Sequence, residues 1–230
     1  MKSFKTTILV CVIIFSQTIV AQSKKERAVE SKSVAMDMYN SSQNTEALEF
    51  YSKGSEKLGA GDYKGAIKLF EKAIDKDPKF VEAYDDMGVS YRKLGDFKNA
   101  IKNYEKSIEL YPNGAMAHQN LGMIYAIQKE FQKALNEYET SQKLKPEDPE
   151  GYYGTVNIYL QLGEYKKAIN NAKKTLDIYE ATKNPYIADA QYLLGMSYYY
   201  DKDNKNAKTF LELAKKGGAP VDPKVLKDVQ

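Results

Sequence analysis

The residue types with the widest chemical range are the scarcest in this sequence. Its 230 residues include one His, one Cys and no Trp. A lone imidazole at His118 and a lone thiol at Cys11 leave no His pair, no Cys/His metal cage and no thiolate–imidazole couple within the chain. Gly59-Ala60-Gly61 with Gly65 approaches a dinucleotide loop. Its spacing is wrong, however, and it follows a helical pattern rather than a strand, so it reads as a turn between two helices. No phosphate-cradling lysine motif, nucleophile elbow or metal-spaced carboxylate loop occurs. Asp85 and Asp86 adjoin on what reads as an exposed helix and need no special role. Lys64, Lys68 and Lys72, then Lys98, Lys102 and Lys106, recur at i, i+4, i+8, diluted by Glu71, Glu105 and Glu139. These stripes read as a solvated outer face, with a weak preference for anionic membrane surfaces as the sharper alternative. The expectation is a chain that is not an enzyme and carries no metal or cofactor.

Composition supports a folded, exported chain. Hydrophobic residues make up 43% and charged residues 28% of the sequence, which excludes wholesale disorder. Seven Pro and 14 Gly are too few for an all-β sandwich. Residues 1–21 have the layout of a signal peptide: Lys2 and Lys5, an uncharged apolar run from Thr6 to Val20, then Ala21 before Gln22. The run is short for a bilayer span, which disfavours an uncleaved anchor as the alternative. Cleavage would remove Cys11 and two lysines and lower the net charge from +3 to +1. No disulfide framework and no global pull toward nucleic acid would remain. Residues 22–46 read as a polar flexible leader.

One spacing organises the rest. Gly54, Gly88 and Gly122 lie 34 apart, as do Ala66, Ala100, Ala134 and Ala168. The aromatics Tyr63, Phe97, Phe131 and Tyr165, the tyrosines Tyr91, Tyr125 and Tyr159, and the prolines Pro78, Pro112 and Pro146 keep the same interval. Each period reads as two helices. Tyr84, Met87 and Tyr91 fall at helical spacing, Leu94-Gly95-Asp96 marks a turn, and Phe97, Ala100, Ile101, Tyr104 and Ile108 line a second helix. Pro112 then stops the chain. Gly88 and Ala100 are expected to seat the close approach within a period. A fifth copy follows: Gly195, Tyr198, Ala207 and Leu211 repeat the offsets. It lies five residues late, an excess assigned to a longer loop at Ala181 to Ile187.

This pattern resembles the tetratricopeptide repeat, a 34-residue helix-turn-helix with Gly, Tyr, Ala, an aromatic and Pro at set offsets. The resemblance covers repeats at about 47–80, 81–114, 115–148, 149–182 and 188–216, with 217–230 as a C-terminal cap in which Asp222-Pro223 opens a short helix. His118, Gln191 and Val156 depart from the pattern, and His118 is expected to pack between repeats. The implied fold class is all-α, a right-handed α-solenoid of about five repeats. The implied function is a protein–protein interaction scaffold in a bacterial cell envelope, periplasmic or extracellular, that holds a peptide or protein on its concave face. Carried over by register, that face should present Tyr51, Ser55, Asp85, Val89, Arg92, Gln119, Met123, Tyr153, Asn157, Tyr192, Met196 and Tyr199. The alternative is a structural subunit of an envelope assembly, docking through the ends or the convex face. The clamp by which some members grip acidic chaperone tails needs Lys, Asn, Asn, Lys and Arg. Its seats in the first frame hold Tyr51, Ser55, Asp86, Met116 and Asn120, so chaperone-tail binding is excluded.

Overall fold

The computed structural model describes residues 42–230. The expected signal peptide and the leader as far as residue 41 lie outside the described residues. The chain divides into two compact units, residues 1–112 and 113–230. Among the described residues all regular structure is helical. Unit 1 holds two hairpins: α1 (Thr45–Gly59) with α2 (Tyr63–Lys76), and α3 (Val81–Lys93) with α4 (Phe97–Leu110). Unit 2 holds three more: α5 (Ala115–Ile127) with α6 (Phe131–Leu144), α7 (Pro149–Leu162) with α8 (Tyr165–Ala181), and α9 (Ile187–Tyr200) with α10 (Asn204–Lys216). A six-residue helix, α11 (Pro223–Asp228), ends the chain and packs on α10. Within each unit the second helix of a hairpin packs on the first helix of the next, and neighbouring first helices touch.

Local chemistry sets the helix starts. Asp62, Asp96 and Asp203 accept hydrogen bonds from the backbone N–H three residues on, at Gly65, Asn99 and Asn206, which satisfies a donor that the first turn leaves free. α6 and α8 follow Glu130 and Glu164 instead, and neither side chain caps its helix. There the glutamate pairs with Lys133 or Lys167, and each lysine lies over a tyrosine of the first helix, Tyr125 or Tyr159. The turn before each second helix requires a left-handed residue, supplied by Gly61, Gly95 and Gly163 but by Lys129 and Lys202 in the third and fifth hairpins.

Each hairpin closes on one bulky side chain. The alanines Ala66, Ala100, Ala134, Ala168 and Ala207 are all fully buried. One turn later on the second helix stand Phe70, Tyr104, Tyr138 and Leu211, each against a glycine of the first helix. A Cβ added at Gly54, Gly88, Gly122 or Gly195 would lie 2.6, 2.7, 3.1 or 2.8 Å from the respective side chain. The expectation that Gly88 seats Ala100 is thus corrected: its nearest side-chain neighbour is the Tyr104 ring. The fourth hairpin exchanges the roles. Val156 stands at the glycine position and Ala172 at the ring position, both fully buried, so bulk moves from one helix to the other while volume is kept. Gly154 admits Tyr138 from the preceding hairpin, since a Cβ there would lie 2.3 Å from the ring.

The five extra residues are not all loop. α8 has 17 residues where α6 has 14, so three of them extend the helix. Of the three residues that extend the helix, Tyr179 is buried, and its packing holds the added turn. His118 has a polar partner that its register does not announce. It is buried, and its Nδ1 lies 2.7 Å from Glu137 Oε2, on α6 of its own hairpin.

Candidate functional site

In unit 1 the first helices of the two hairpins, α1 and α3, touch one another. Tyr51 is half-buried, with its ring 4.8 Å from Phe80 and 5.7 Å from Phe70. This packing aims its hydroxyl at α3, where it donates to Asp86 Oδ2 at 2.9 Å, and Ser55 donates to the same oxygen at 3.5 Å. Asp85 is 1% exposed, which overturns both its expected place on an exposed helix and its expected availability as a contact residue. Neither of its carboxylate oxygens has a hydrogen-bond partner. Burial, with Asp86 and Glu82 nearby, pushes its pKa up to about 7 even though the Ser107 hydroxyl favours the charged form. Burial likewise raises Asp86 to about 6, against the opposing effect of the Tyr51 and Ser55 hydroxyls. The Tyr51 pKa rises through burial and the Asp86 charge. Arg92 and Val89 are half-buried. The Arg92 Nε has no partner, and its guanidinium faces the Tyr104 hydroxyl.

In unit 2 the first helices are α5, α7 and α9, each touching the next. Gln119 donates to Asp148 Oδ2 at 3.0 Å, which ties α5 to the N-cap of α7. Met123, Asn157 and Tyr192 are half-buried. Burial raises the Tyr153 pKa well above its ordinary value, and the charges of Asp189 and Glu150 and the rings of Tyr179 and Tyr192 add to this. Tyr153 and Tyr192 therefore share one locality. Met196 is 7% exposed and belongs to the apolar core, which corrects its expected place on the accessible face. Tyr199 donates to Asp228 Oδ2 at 3.1 Å, so the terminal helix engages one of the expected contact residues. Register alone carries no signal for that.

Among the described residues, no group of three or more His, Cys, Asp or Glu is placed to hold a metal ion. No helix there is long and apolar enough to cross a membrane. The lysine stripes on α2 and α4 are largely exposed, Lys106 pairing with Glu109 and Lys72 lying over Phe50.

Sequence comparison matches the chain to family models described as tetratricopeptide repeat over residues 80–147, 130–181 and 189–216, and as TPR repeat over 54–95. Comparison with curated proteins gives no match. Among solved structures, a crystal structure of MamA protein is 26% identical at a TM-score of 0.63, covering 74% of this chain and 91% of that one. TTC0263, a thermophilic TPR protein of Thermus thermophilus, is 19% identical with a TM-score of 0.58, over 80% of this chain and 96% of its own. Pseudomonas aeruginosa PilF is 18% identical with a TM-score of 0.68, over 80% and 88%. The likeness to these last two is one of fold.

Proposed function

The chain belongs to the tetratricopeptide-repeat family, and from that premise we propose that it is a non-enzymatic adaptor of the cell envelope that holds a peptide or protein partner on its first-helix walls. Tetratricopeptide repeats are in general protein–protein interaction scaffolds, and the fold carries that much. What supports the finer reading is the make-up of the walls. Within each unit neighbouring first helices touch, and they bear half-buried Tyr51, Arg92, Gln119, Met123, Tyr153, Asn157, Tyr192 and Tyr199. Tyr, Met and Arg are types enriched at interface centres, and a tyrosine offers large rigid area with a polar tip. Export is the reading of residues 1–21, with an uncleaved anchor as the other outcome; the N-terminal sequence of the protein recovered from cells decides between them.

The test is affinity capture from envelope extracts, comparing the wild-type chain with a Tyr153→Ala/Tyr192→Ala double variant. The adaptor reading expects partners to be lost or weakened by about 2 kcal/mol for each central tyrosine. Recovery of the same partners at equal affinity would sink it in favour of a structural subunit that docks elsewhere.

A further inference from the structure

The inner wall of unit 1 contains an acidic group that the fold leaves unbalanced. Glu82, Asp85 and Asp86 lie within five positions of α3, and none enters an ion pair among the described residues. Asp85 is almost wholly enclosed, with only the Ser107 hydroxyl beside it and no well-aligned hydrogen bond to either carboxylate oxygen, and Glu82 Oε2 is buried and unpartnered. The groups facing them are Tyr51 and Ser55 from α1, Asp77 at the end of α2, and Tyr104 and Ser107 from α4, with the Arg92 guanidinium of α3 beside the Tyr104 hydroxyl. Two neutral hydroxyls serve Asp86. A buried carboxylate without counter-charge costs several kcal/mol, and like charges beside it add to that cost. Three acids buried side by side on one helix face make a site that a cationic group from outside would stabilise. The three carboxylates are not placed to share a metal ion. A cation with several N–H donors on a flexible stem has the chemistry to stabilise the site.

We propose that the Glu82–Asp86 face of α3 receives a Lys or Arg side chain from a basic segment of the partner. Half-buried Asp86 and Glu82 meet the cation, and Asp85 adds its charge from behind. The proposal rests on the first-helix wall being the binding face, and it specifies the partner's chemistry there. The full chain carries a net charge of only +3, so a basic segment is drawn by this local field and not by the protein as a whole. Because the cation favours ionised carboxylates, binding tightens as pH rises through 6 to 7.

The test is fluorescence anisotropy with the full chain and a labelled glycine–lysine repeat peptide, against the same peptide with every lysine acetylated. The lysine peptide is expected to bind more tightly than the acetylated one by about tenfold or more. It should bind more tightly at pH 8 than at pH 5, and lose that advantage in Asp85→Asn and Asp86→Asn. Thermal melts of both variants should match or exceed wild type, which separates lost binding from lost folding. Equal affinity for the two peptides, or full affinity in both variants, overturns the assignment. If the lysine peptide fails while native partners still require Tyr153 and Tyr192, the basic-segment assignment falls and the adaptor reading stands. If native partners are indifferent to Tyr153 and Tyr192, the adaptor reading falls with it.

Discussion

Replacing Gly154 by Ala sets two effects of opposite sign against each other. In the interior of α7, alanine is favoured over glycine by about 1 kcal/mol through helix propensity. Propensity alone therefore predicts a more stable protein. The added Cβ, however, would stand 2.3 Å from Tyr138 Cζ and 2.4 Å from its Cε1, against about 3.5 Å for ordinary carbon contact. The ring would have to retreat by about 1 Å. It is 6% exposed, and on its other side a Cβ at Gly122 would already lie at 3.1 Å, so the free space around it is small. Overpacking of this kind costs about 1–3 kcal/mol, and after the propensity gain the net expectation is a loss of up to about 2 kcal/mol. For a chain of this size that lowers the melting temperature by up to about 4–8 °C. Circular dichroism melts at 222 nm with parallel urea titrations measure it. Shortening the ring partner should reverse the sign: in a Tyr138→Leu background, Gly154→Ala should stabilise by about 1 kcal/mol. A rise in melting temperature for Gly154→Ala in the otherwise unchanged chain would refute the packing account.

The pH dependence of stability follows from Asp85 and Asp86, whose pKa values are raised to about 7 and about 6. In this range the folded state holds protons that the unfolded state releases. The stabilisation is full below about pH 4 and is lost as pH rises through 6 to 7, so unfolding at pH 5 should require about 2–4 kcal/mol more than at pH 8. Asp85→Asn should flatten most of that slope in urea titrations. Lys129 and Lys202 occupy left-handed turn positions, and Lys129→Gly or Lys202→Gly should each raise stability by about 1 kcal/mol; a loss in both would show that side-chain contacts outweigh the backbone term. Val156→Ala opens a cavity at a fully buried site and should cost about 2–3 kcal/mol by chemical denaturation.

The helical hairpins were legible because they rest on residues whose role is geometric. A small side chain every 34 positions marks a close approach whatever surrounds it, and Gly95 and Asp96 announce a turn and a cap together. The site was less legible. Register places Asp85 and Met196 on the first-helix wall, but their burial depends on neighbouring side chains, which no local pattern encodes. Tyr199 is similar: its hydroxyl is engaged by Asp228, 29 residues away. The Val156–Ala172 exchange did carry a signal. Alanine stands where Tyr104 and Tyr138 stand in the preceding repeats, and valine without a glycine partner becomes intelligible once both ends of the contact are compared. Three of the five extra residues prolong α8, and of these Tyr179 is buried, an apolar anchor beyond the ordinary helix end.

That exchange also works as a key against misassembly. Hairpins alike in length and pattern invite a helix to close on the wrong neighbour during folding, a shift that sequence similarity would otherwise leave nearly isoenergetic. A first helix bearing valine cannot accept a tyrosine or phenylalanine opposite it, and a second helix bearing Ala172 leaves a void beneath any glycine-bearing mate. The fourth hairpin therefore recognises only its own halves, and it fixes where counting begins for the hairpins on either side.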